Sequence, residues 1–304
     1  MLPLGYQHHD YAFALSEFGE PQALSRAGGW LLKRPIPESN WYDAMGCYPL
    51  FSCLNWKNLY HDLEELKDQW VAISIVTDPF AEVSPQKLKK FFKEVCVPFK
   101  EHFVIDLLLE RETYVSEHHK RYAKKALNNV EFCVCDQPEI NSKEWVDLYS
   151  YLVRRHNIRG IPQFSPEILD KQMRIPGCVA FQTRKDNQTV GMQLWYRMQD
   201  RAYYHLGASN DEGYRCYSAF AIFWEAIAYF KKQGIRWLSL GSGAGVKPSA
   251  NNGLTQFKRG WANTSRPVYF CGAITHKAHY KALVKKSNVR PVDYFPCYRK
   301  GEFT

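Results

Sequence analysis

The stretch AYYHLGASNDEGYRCYSAFAIFWEAIAYFKKQGIRWLSLG, Ala202 to Gly241, decides the fold. Its opening residues, with Arg201, read as a strand. A polar loop, SNDEGYR, follows, then a helix that is apolar nearly all round from Tyr217 to Phe230. Such a helix has no face to give to water, so it lies at the centre of a domain. Lys231 and Lys232 close it, Gly234 stops it as a C-terminal cap, and IRWLSLG is the next strand. Two more strands precede the stretch, GCVAFQTR and TVGMQLWYR. From Gly177 to Ile274 the order is strand, strand, strand, buried helix, strand, helix, strand, which describes a mixed sheet with helices packed on it.

Upstream, the patterns predict further elements. GGWLLKRPI and YDAMGCYPLFSC read as strands, and QWVAISIVTDP alternates Val71, Ile73 and Ile75 onto one face. SPQKLKKFFKEV has a serine cap, Pro85 at the first helical position, and Leu88, Phe91, Phe92 and Val95 at helical spacing. HFVIDLLL is a strand, YVSEHHKRYAKKAL a basic helix from Tyr114 to Leu127, and VEFCVC another strand. Helices are expected around Trp145, Leu148, Tyr149 and Leu152 and after the Ser165-Pro166 cap. RPVYFCGAI is a last strand and HKAHYKALVKK a basic C-terminal helix.

With 304 residues, 45% hydrophobic and 15% aromatic content, the chain has ample material for one or two cores. It has no run of about 20 apolar residues and no leader-like N-terminus, so a cytoplasmic protein is expected. Nine scattered cysteines, with no C-x-x-C pair, point to reduced buried thiols and no metal site. A formal charge of +9 suits an anionic partner: a phosphorylated sugar, a nucleotide-linked donor, tRNA or a membrane surface. G-x-S-x-G, H-E-x-x-H and Walker motifs are lacking, which removes the minimum parts of hydrolases, zincins and NTPases. GSGAG at Gly241–Gly245 is followed by VKPSANNG, whose proline rules out an immediate dinucleotide-binding helix.

The Tyr-rich strand, polar loop, Trp-containing helix, LSLG strand and the segment GLTQFKRGW, Gly253 to Trp261, taken together resemble the FemAB-like acyltransferases of the GNAT superfamily. The resemblance is clearest from Arg201 to Trp261 and reaches upstream to the basic HHKRYAKKAL helix. It implies an α/β (α+β) protein of tandem GNAT-like domains, with mixed, mostly antiparallel sheets flanked by helices. A degenerate first copy would occupy residues 1–113 and an acyltransferase copy residues 114–304. It also implies that Lys258, preceded by Phe257, lies beside the carbonyl under attack or the phosphates of a bound substrate. The donor stays open between acyl-CoA and aminoacyl-tRNA, with no tightly bound cofactor. NDEGYR stands where an acetyl-CoA GNAT has Q/R-x-x-G-x-G/A.

Acyl transfer needs a stabilised oxyanion, a nucleophile relieved of its proton and two substrates held in line. Lys258 is expected to supply the fixed charge. Tyr204 and His205 end a central strand, where one of them faces the cleft, and Glu225 within the buried helix is a paired core carboxylate or a proton acceptor. Arg215 and Tyr217 open that helix, where free amides and an arginine favour an anion, and Lys247 is within reach of a phosphate. Lys120, Arg121, Lys124 and Lys125 gather on one helical side, and Arg121 and Lys124 are the residues expected to hold an anionic acceptor. The reading is an acyl or aminoacyl transfer to an amine or hydroxyl of an anionic, small or lipid-linked acceptor, as in peptidoglycan-bridge or polysaccharide modification. Its rivals are an acyl-CoA-dependent N- or O-acyltransferase of natural-product or polysaccharide assembly, and a non-catalytic GNAT-like fold that binds RNA or a membrane surface.

Overall fold

In the computed structural model, which describes residues 2–243, 245, 252–287 and 294–302, the chain forms two compact units. One comprises residues 1–100 with 267–304, and the other Glu101–Arg266. The strands, in chain order, are β1 (Glu20–Leu24), β2 (Gly29–Pro35), β3 (Tyr42–Gly46), β4 (Ala72–Val76), β5 (Val95–Asp106), β6 (Glu131–Cys135), β7 (Cys178–Lys185), β8 (Gln188–Met198), β9 (Arg201–Ser209), β10 (Trp237–Gly241) and β11 (Thr264–Ile274).

In the first unit β1, β2 and β3 pair antiparallel, β3 pairs β4 in parallel, and β11 lies antiparallel to β4. Ile73 and Ile75 share a core cluster with Leu31, Phe51, Leu63 and Trp70. Val71, one residue before β4, joins a different cluster with Tyr280 and Leu283, so the expected single face is split. The Ser84-capped helix is also shorter than its spacing predicts. It ends at Leu88, and Phe91 and Phe92 enter the core beyond it because the chain must turn before β5 begins at Val95. Arg34 and Asp43 face each other across β2 and β3, and both are buried. Arg34 donates to Asp43 at 3.0 Å and contacts Glu302, and Arg299 donates to the other Asp43 oxygen at 2.9 Å.

The second unit holds, in order, the end of β5, then β10, β9, β8, β7 and β6. β10 is antiparallel to β5 and parallel to β9, and every other neighbour is antiparallel. The Ser218–Lys232 helix covers one face, where Phe223, Ile227 and Phe230 pack against Phe181, Trp195, Leu238 and Leu240. The opposite face carries the Ser142–His156 and Pro166–Met173 helices, and Tyr196 of β8 donates to the Gln172 carbonyl there. The Ser165 hydroxyl caps the second of these as the sequence predicts. The units divide at 100/101 and 266/267, whereas the sequence placed one boundary at 113/114. The difference comes from β11 and the Lys277–Ser287 helix, which pack with β4 and Val71. Among the described residues no helix is long and apolar enough to cross a membrane.

Candidate active site

Strands β9 and β10 run side by side only from Arg201/Trp237 to Tyr203/Ser239. Beyond that point β9 continues to Ser209 while β10 ends at Gly241, so the two part and open a wedge in the sheet. Each strand carries an irregularity at the parting. Leu194 and Trp195 of β8 face Leu206 and Tyr204, leaving His205 as an extra residue, and Leu240 is likewise extra between Ser239 and Gly241. A bulge leaves the extra residue out of the ladder and increases local twist.

Lys258 reaches this wedge. It sits on the short Gly253–Arg259 helix, which is capped by the Asn252 side chain, and is only 6% exposed. Its Nζ donates to the Ser242 carbonyl at 2.8 Å and lies 5.3 Å from the Tyr204 ring centroid. Gly241 makes room for it. This residue has φ +73°, and a Cβ there would stand 3.2 Å from Nζ. Phe257 anchors the helix by packing edge-on against Phe220 and Phe223 of the buried helix, at 5.0 and 5.2 Å between ring centroids.

Tyr204 shares the Lys258 side of the sheet, packed edge-on against Trp195 and tilted against Phe223, and burial pushes its hydroxyl well above the usual tyrosine range. His205 does not share it. Its ring lies 4.8 Å from that of Tyr196, on the face covered by the Ser142–His156 helix, and burial lowers it to about 3. Of the pair, Tyr204 is therefore the one that lies with Lys258. Glu225 is half-buried, and two residues on from Phe223 it lies about 200° round the helix from that ring. Its side chain has no hydrogen bond or ion pair among the described residues, so the expected core pairing is not found, and it does not join Lys258.

The proposed anion contacts separate. Arg215 is exposed and spends its charge on Glu212, at 2.7 Å. The NDEGYR segment is folded into a one-turn helix, Asp211–Arg215, rather than an open loop. Tyr217 has φ +61° at the mouth of the buried helix, and its ring packs against Tyr122, with the Lys125 ammonium 4.8 Å from its centroid. Arg121 and Lys124 are exposed on the Glu117–Leu127 helix, while Lys120 is taken up by Glu117. Lys247 lies outside the described residues. His8, His9 and Asp10 form a group of three donors within 4.8 Å that the sequence reading passed over.

One residue near Lys258 escaped the sequence altogether. His119, on the basic helix, is 6% exposed and bonds to the Phe257 carbonyl at 2.9 Å. A histidine in a run of lysines reads as solvated, and only the tertiary fold shows otherwise.

Residues 117–259 match the acetyltransferase (GNAT) domain family. No curated protein matches the sequence. Among solved structures, FemX is 14% identical, with a TM-score of 0.69 over 92% of this chain and 95% of its own. The C-terminal domain of a provisionally named lysylphosphatidylglycerol synthetase from Agrobacterium fabrum is 14% identical, with a TM-score of 0.63 over 92% of this chain and 93% of its own. L-PGS from Bacillus licheniformis is 13% identical, with a TM-score of 0.55 over 95% and 97%. At these identities the likeness is one of fold. The matched segment contains the wedge, the buried helix and Lys258: residues 117–259 are a GNAT-type acetyltransferase domain, carried in a chain that has the fold of FemX and of the lysylphosphatidylglycerol synthetase domain.

Proposed function

We propose that the wedge beside Lys258 transfers an acyl or aminoacyl group to an amine or hydroxyl on an anionic acceptor. The observation that carries this is an ammonium held by a backbone carbonyl in a nearly dry position, at the point where two central strands part. Such a charge needs no reorganisation when an oxyanion forms beside it, and low local dielectric strengthens the interaction. In the step, the acceptor's nitrogen or oxygen bonds to the acyl carbon and the carbonyl oxygen takes up negative charge. The leaving thiolate or ribose oxygen then departs as the carbonyl reforms, and the nucleophile's proton passes to it or to solvent. Tyr204 lines the wall and Phe257 fixes the helix, so Lys258 has a defined place.

Arg121 and Lys124 supply an exposed cationic face suited to a phosphate on the acceptor, whether small or lipid-linked. Names among the fold relatives support the aminoacyl reading: a lysylphosphatidylglycerol synthetase domain and L-PGS. The GNAT match supports an acyl-CoA donor. Both donors present an ester or thioester carbonyl to the same charge, and a radiolabelled transfer assay separates them. The protein is incubated with labelled acyl-CoAs or aminoacyl-tRNAs and with phosphorylated amines, amino sugars and anionic vesicles. Transfer that is lost in Lys258→Ala supports the proposal. A Lys258→Ala variant with parental turnover on the accepted pair sinks it.

A further inference from the structure

We propose that His119 is a positioning residue that fixes where the Lys258 ammonium lies, tying the basic helix to the helix that carries the lysine. The inference rests on the reading of Lys258 given above.

The last carbonyls of a helix have no partner inside it and must find one elsewhere. At the end of the Gly253–Arg259 helix, the Gln256 carbonyl accepts from Gly260, that of Lys258 from Trp261 and that of Arg259 from Ala262. The Phe257 carbonyl goes instead to His119, through Nε2 at 2.9 Å. A carbonyl only accepts, so Nε2 carries the proton and Nδ1 is the acceptor. The Ser116 hydroxyl, 2.7 Å from Nδ1, is placed to donate to it. Ser116 also donates its backbone N–H to the Gly260 carbonyl at 3.0 Å, while its hydroxyl oxygen caps the basic helix by accepting from the His119 amide. The start of one helix and the end of the other are thus clasped by a chain of hydrogen bonds that passes through a single imidazole.

The ring leaves little slack. Trp261 meets it edge-on at 4.9 Å between centroids, with Phe220 at 5.1 Å and Phe257 at 5.5 Å. Gly260 is glycine because any Cβ there would run into the imidazole. Burial lowers the histidine's proton affinity more than the Phe257 carbonyl raises it, which keeps the tautomer-specific neutral form. Lys258 directly follows the clasped carbonyl, so a shift of the Phe257 peptide moves the ammonium. Arg121 and Lys124 lie two and five residues beyond His119 on the same helix, so an acceptor docked on them bears on the lysine through this contact.

The test reads the lysine directly. In the substrate-free full chain, the 15N–1H signal of the Lys258 ammonium, assigned by its loss in Lys258→Arg, is followed in His119→Leu, His119→Gln and Ser116→Ala. His119→Leu is expected to shift or broaden that signal and to lower kcat by about 10- to 100-fold, the scale of a misplacement approaching 1 Å, with KM for the donor unchanged within about twofold. His119→Gln, whose amide N–H reaches the same carbonyl, is expected to restore the signal and most of kcat. If His119→Leu does not fold, Ser116→Ala and His119→Gln carry the comparison, and Ser116→Ala is expected to show the same loss to a smaller degree. A Lys258 signal that stays put when the clasp is cut overturns the positioning role. A signal that moves while kcat holds, alongside a fully active Lys258→Ala, upholds the clasp and overturns the catalytic reading of Lys258 instead.

Discussion

Gly241→Ala separates the site's chemistry from its stability. The backbone at this position is left-handed, φ +73°, and an L-residue with a Cβ pays about 1–2 kcal/mol to adopt it. For a unit the size of Glu101–Arg266 that is a fall in Tm of about 2–8 °C. The new methyl would also lie 3.2 Å from Nζ of Lys258, so the ammonium must give way by a few tenths of an ångström. Misplacing a reacting group by 1 Å costs on the order of a hundredfold, so a shift of this size is expected to lower kcat by about 3- to 10-fold. The assay is acyl transfer at saturating donor and acceptor, run well below the variant's Tm so that every molecule is folded, with a thermal melt beside it. KM should hold, because no substrate contact is removed. A lower Tm with an unchanged kcat would refute the reasoning: the ammonium would then have moved without consequence for the rate.

Lys258→Ala is expected to lower kcat by roughly two to three orders of magnitude, the scale of losing one oxyanion donor, and Lys258→Arg to rescue it poorly because its planar head does not fit the same point; steady-state kinetics decide both. Arg121→Ala with Lys124→Ala should raise the acceptor's KM, and the parent's KM should rise with salt; an unaffected KM in the double variant would leave the helix a solvated face. Asp43→Ala leaves Arg34 and Arg299 facing a void in the first unit, and urea denaturation should show a loss of about 3–5 kcal/mol; a loss under about 1 kcal/mol would contradict the network described. His205 is held down to about 3 against an ordinary 6.5, so its folded pKa is depressed. Its contribution is therefore complete above pH 6.5 and is lost as pH falls from there toward 3, by up to about 1.4 kcal/mol per unit. His205→Phe should flatten that slope in pH-dependent melts, and an identical slope would show that another group sets it.

The readings that succeeded were local ones. The buried helix is legible from its lack of a polar face, β7 to β9 from three strand-like runs separated by the polar turns KDNQ and MQD, and the Ser165 cap from its proline. Of the two glycines that flank Lys258 in the sequence, Gly260 lies against the His119 ring, while Gly253 has no atom within 4 Å of where a Cβ would stand. What the sequence hid was long-range. Whether Tyr204 or His205 meets the lysine depends on which helix covers which face, and alternation says only that the two differ. One local contact was also missed: Glu212, three residues before Arg215, takes up its charge once the NDEGYR segment folds into a helical turn. His119 was invisible because its burial comes from Phe220, Phe257 and Trp261, about a hundred residues or more along the chain.

The first unit is interrupted by the second, and this has a consequence for synthesis on the ribosome. Val76 of β4 waits for Phe270 of β11, on the order of 200 residues later in the chain. At about 5–20 residues per second, that partner emerges some 10–40 s after β4 does. Throughout that interval the β4 edge, with Ile73 and Ile75 beside it, has no permanent neighbour on that side, while Glu101–Arg266 already has all its strands to hand. Translation therefore favours completing the inserted unit first. The nascent chain is most exposed to strand-edge misassociation, and to chaperones, just before the codons of β11 are read.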